Sequence, residues 1–69
     1  MGNEEIVAEL NAQLMLKENR LRKVAKMVEE ISLLPENLRV VETYAIELRC
    51  LAYQIRDLQR AKSAALAAR

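Results

Sequence analysis

Ser32-Leu33-Leu34-Pro35-Glu36-Asn37 lies almost at the midpoint of the 69-residue chain and holds its only proline. Pro35 has no backbone N–H, and its ring clashes with the carbonyl four residues earlier, so it breaks or kinks a helix interior. It also pushes Leu34 out of the helical region. Proline is favoured at the first position of a helix, and Glu36 puts a carboxylate where the positive end of the helix dipole stabilises it. The stretch therefore predicts a corner, with helix 1 over about 3–32, a turn over 32–36 and helix 2 over about 35–66. The single glycine is Gly2, so no left-handed glycine cap defines the end of helix 1. A single helix kinked at Pro35 is the rival reading. A short link between two amphipathic helices makes them antiparallel neighbours, and an all-α two-helix hairpin is the fold expected.

Working outward towards the N-terminus, apolar residues recur in alternating steps of three and four: Val7, Leu10, Leu14, Leu21, Val24, Val28 and Ile31. This is the pattern of left-handed, knobs-into-holes helix packing. Lys17 breaks it. Met1 to Asn3 read as a frayed start with Asn3 as the N-cap, followed by Glu4, Glu5 and Glu9 at the end of the helix that favours acids. Towards the C-terminus, Val41, Leu48 and Ile55 take one seam position, and Tyr44, Leu51 and Leu58 take the other. Leu38, Ala45 and Ala52 flank this seam and broaden the apolar face. Folding at the corner pairs Val28 with Val41, Leu21 with Leu48, Leu14 with Ile55 and Leu10 with Leu58. The alanine-rich end, from Ala61 to Arg69, favours helix but buries little.

The chain is one domain. At this length a single core rarely supplies more than about 3–5 kcal/mol, and small folds need a further staple. Cys50 is the only cysteine, so no disulfide forms within the chain, and histidine is absent, which argues against a structural zinc. The staple left is association. Two hairpins packed face to face would make a four-helix bundle. A homodimer is the first reading of the partner, and a mixed bundle with another helical protein is the second. Net charge is +1, which gives no global case for nucleic acid or an anionic membrane. No apolar run approaches the ~20 residues that span a bilayer, and a lone thiol suits a reducing compartment. A soluble cytoplasmic protein is expected.

No catalytic, metal or cofactor signature emerges. Cys50 has no histidine to activate it, the adjacent pairs Glu4/Glu5 and Glu29/Glu30 point in different directions on a helix, and one glycine cannot build a phosphate loop. The helix-helix and oligomer interface is assigned to Leu10, Leu14, Leu21, Val24, Val28, Val41, Leu48, Leu51, Ile55 and Leu58. Ile46, Cys50 and Tyr53, spaced i, i+4, i+7, form a second stripe on the back of helix 2 that suits an outer partner. The basic run Lys17, Arg20, Arg22, Lys23, Lys26 is the main charge feature. Arg20, Lys23, Arg49 and Arg56 are the residues that would contact a nucleic acid, although Glu18, Glu29, Glu30, Glu42 and Glu47 lie close by and only two aromatics are available for stacking. A solvated face is the default for these charges. For Lys17 it is a snorkelling side chain or a register-setting polar residue.

The central turn, two long helices and expected dimerisation resemble the plasmid-encoded RNA-binding hairpins of the Rop family. That resemblance implies a dimeric RNA-binding regulator. The size and hairpin also look like the small helical co-chaperones of type III secretion systems, which implies a chain that folds with a partner. The reading adopted from the residues is a non-catalytic protein–protein interaction module: a self-associating hairpin serving as an assembly or regulatory adaptor. On this reading Leu21→Glu or Leu48→Glu puts an unpaired charge in the seam and abolishes helicity and association together, and helicity retained in either variant would refute the hairpin.

Overall fold

The computed structural model describes residues 2–31 and 34–68. Helix α1 spans Gly2–Glu30 and helix α2 spans Leu38–Ala67, joined through a short 3-10 turn at Pro35–Asn37. The two helices pack against each other along their lengths. The molecule is a rod of 53 × 14 × 11 Å between Cα extremes. Its radius of gyration of 15.9 Å exceeds the about 11 Å of a compact domain of this length.

The corner follows from proline chemistry, with a refinement. Leu34 is extended at φ −66°, ψ 149°, as the residue before a proline should be. The Asn37 N–H donates to the Leu34 carbonyl at 2.9 Å, and the Leu38 N–H donates to that of Pro35. Helix 2 thus begins at Pro35 as a tight 3-10 turn and becomes α-helical only at Leu38. Such turns are frequent at helix ends, where they satisfy backbone groups the α pattern leaves free. The extended Leu34 and the packing of α1 on α2 exclude one helix kinked at Pro35.

Helix α1 ends close to the expected corner. Glu30 is its last residue, and the Ile31 N–H is shared between the carbonyls of Met27 at 3.2 Å and Val28 at 3.3 Å. Shared bonds of this kind are common where a helix terminates. The expected end at Ser32, and the Ser32-Leu33 part of the turn, lie outside the described residues, as do the terminal residues Met1 and Arg69. At the other end, Asn3 is not the cap. The helix already includes Gly2, and Asn3 sits in its first turn with Glu4 and Glu5. Nothing in Met1-Gly2-Asn3 forbids one more helical residue, and an N-cap side chain only favours a start without imposing it.

The core is thin. Among the described residues only Leu14, Val24 and Leu51 are buried, and only Val24 is fully so. The other apolar seam positions on α1 and α2 are half-buried. Two helices side by side can cover only one stripe of each. A third or fourth helix is needed to close the remaining sides.

Candidate interaction surfaces

All ten residues assigned to the helix-helix interface are buried or half-buried. The flanking residues are different. Leu38 is 46% exposed, and Ala45 and Ala52 are exposed as well, so the broad part of the helix 2 face lies outside the contact with α1. Met15 and Leu16, which fall off the α1 seam, are 66% and 70% exposed. The Ile46, Cys50 and Tyr53 stripe is exposed throughout.

Two open grooves run along the hairpin where α1 and α2 meet. One is lined by Leu14, Met15, Gln59, Lys62 and Leu66 among others. The second lies against Leu16, Lys17, Arg20, Glu47, Cys50 and Leu51. Both are shallow channels between helices, and neither encloses a small-molecule cavity. Among the described residues no group of acidic, cysteine or histidine side chains is placed to hold a metal ion, and no helix is long and apolar enough to cross a membrane.

Lys17 sits in the second groove, beside Leu51, and is half-buried. It makes no ion pair among the described residues. No charged or polar side chain there is buried. Half-burial fits a snorkelling lysine, whose methylenes would lie along the apolar seam with the ammonium in water.

The basic residues do not form one free stripe. Arg20 donates from Nε to one Glu47 carboxylate oxygen at 2.6 Å and from a terminal nitrogen to the other at 3.1 Å. This forked geometry is the strong form of the ion pair. It ties α1 to α2 and was readable in advance, because folding at the corner brings position 20 level with positions 47 to 49. The sequence reading counts Glu47 among the acids close to the basic run without pairing it with Arg20. Arg22 lies 3.7 Å from Glu18 one turn earlier. Arg56 stacks 4.9 Å over the Tyr53 ring and reaches Asp57 at 3.5 Å. Of the four residues considered for nucleic acid, Lys23 and Arg49 are exposed and make no ion pair among the described residues.

The Arg20–Glu47 pair has a pH signature. The hydrogen bond from Arg20 holds the Glu47 carboxyl below its ordinary value. Partial desolvation opposes this and the charge of Arg20 adds to it. The Arg20 guanidinium is correspondingly pushed up by the same bond and charge. A carboxyl lowered in the folded state stabilises the fold above its unfolded pKa, and that contribution disappears as pH falls through the lowered folded value. Glu47→Gln should therefore melt a few degrees below the parent chain at pH 7, and the two melting curves should converge in strong acid. The effect is small because both side chains are partly in water. Thermal melts of both proteins at the two pH values check this.

Comparison with protein-family models, with curated proteins and with solved structures finds no match for this chain.

Proposed function

We propose that this chain is a self-associating helical hairpin, a non-catalytic interaction module whose work is to assemble with a second helical chain, first of all another copy of itself. The observation that carries this reading is the imbalance between core and surface. Among the described residues three are buried, while nine large hydrophobic residues, from Ile6 to Leu66, are each at least 39% exposed. The chain exposes 5384 Å². A compact monomer of its mass exposes about 4400 Å². The excess is comparable to the ~800 Å² that each partner buries in a standard protein interface. Apolar burial stabilises by about 25 cal/mol per Å², so closing the apolar part of that surface against a second hairpin would add to what the thin seam supplies.

Light scattering with circular dichroism over a concentration series tests the proposal. The expected result is a helical species of twice the chain mass of 7.9 kDa that loses helix on dilution. A stable, fully helical monomer at every concentration would refute self-association. A weakly helical monomer would transfer the seam to a different helical partner, the arrangement the secretion co-chaperones exemplify.

A further inference from the structure

The exposed side of α2 is ordered as well. Leu38, Glu42, Ala45, Arg49, Ala52 and Arg56 follow one another in alternating steps of four and three, so they lie along one side of the helix. All six are exposed. Immediately beside them, three residues on from Leu38, Ala45 and Ala52, stand Val41, Leu48 and Ile55, which α1 leaves half-buried.

We infer that a second copy of this chain docks on this side with its own α2 running antiparallel, the two chains related by a two-fold axis that crosses the stripe. This inference rests on the self-association proposed above and specifies its geometry. The apolar and small positions decide where the helices touch. Ala45 and Ala52 have side chains short enough to let two helix axes approach to the near end of the 8–10 Å range. Close approach there covers the open edges of Val41, Leu48 and Ile55 and builds the interior of a four-helix bundle.

The charges decide which occupant and which direction. They are polarised along the stripe, with the acid Glu42 near the corner and the bases Arg49 and Arg56 further along. Glu42 and Arg49 make no ion pair among the described residues, and Arg56 is already engaged by Asp57 at 3.5 Å and by the Tyr53 ring. A two-fold axis that crosses the stripe brings the same patch of both subunits together in reversed order. With the axis near Ala45, Glu42 meets Arg49 of the second copy, and symmetry repeats the pairing. A parallel arrangement would instead set each charge against its own copy, and like charges facing one another across an interface oppose association. Glu42 and Arg49 thus face opposite charges in the antiparallel direction only.

Two measurements test the orientation on the full chain. The first puts a spin label on Glu36→Cys in a Cys50→Ser background. Glu36 is exposed at the corner. An antiparallel dimer with its axis near Ala45 separates the two corners by about 30 Å at 1.5 Å of helix per residue, and a parallel one keeps them within about 20 Å. The second is a charge reversal. Glu42→Arg alone should weaken the dimer about tenfold, since each copy loses an attraction and gains a repulsion, and adding Arg49→Glu should restore it. A short label distance, or a Glu42→Arg dimer as tight as the parent, overturns the antiparallel docking while leaving self-association standing. A chain that stays monomeric at every concentration overturns self-association itself.

Discussion

Val24→Asp is expected to unfold the chain. Val24 is the only fully buried side chain among the described residues, at 0% exposure. An aspartate there is cut off from water. It must either remain charged without water or take up a proton. Either route costs several kcal/mol, and leaving a buried group unpaired is among the few single changes with so large an effect. A domain of this length holds only about 3–5 kcal/mol in reserve. The helical circular dichroism signal should therefore collapse at neutral pH. A Val24→Asp protein with parental helicity and melting temperature would show that the seam is not what holds the two helices together. The sequence pattern alone nominates Leu21→Glu and Leu48→Glu for the same purpose. The structure ranks them lower, because Leu21 and Leu48 are only half-buried and a longer acid there can lift its carboxylate into water.

Leu51→Ala is expected to cost about 2–4 kcal/mol, the range for truncating a buried leucine and leaving part of its volume empty. Leu51 is 6% exposed and is the one buried residue contributed by α2. With a domain this small each kcal/mol moves the melting temperature by about 4–8 °C, so a fall of about 10–30 °C should be seen. The neighbouring change Cys50→Ser offers a control. Cys50 is exposed and lies off the side of α2 proposed to dock, so this substitution should leave the melting temperature within a few degrees. Thermal melts monitored at one protein concentration compare the two. Equal effects at positions 50 and 51 would mean that the face of α2 turned towards α1 has been misassigned.

The hairpin was legible because its signals are local and mutually consistent. Pro35 forces a break wherever it sits, and the three-four spacing from Val7 to Ile31 names the stripe that turns inward without reference to any partner. Lys17 was legible as an exception to that spacing, and it lies half-buried in a groove that Leu51 also lines. The helix ends were less legible. Asn3 favours a cap but forbids nothing, and Pro35 opens a 3-10 turn instead of a regular α-helical turn, a choice made by hydrogen bonds to Leu34 and Pro35 carbonyls that propensity does not reveal. The Arg20–Glu47 fork was within reach of the fold-at-the-corner pairing. Glu47 was legible as an acid near the basic run but not as the partner of Arg20, because level along a hairpin does not say which side chains reach one another.

The sequence by itself determined that two amphipathic helices meet at a proline corner and which stripe of each turns towards the other. Periodicity and proline geometry act over a few residues and need no knowledge of the whole. Only the tertiary structure decided how much of that apolar surface two helices can close: Leu14, Val24 and Leu51 fully or nearly so, the rest of the seam by half, and Leu38, Ala45 and Ala52 not at all. The physical reason is geometric. A residue's burial depends on what stands opposite it in space, and two parallel cylinders touch along a single line.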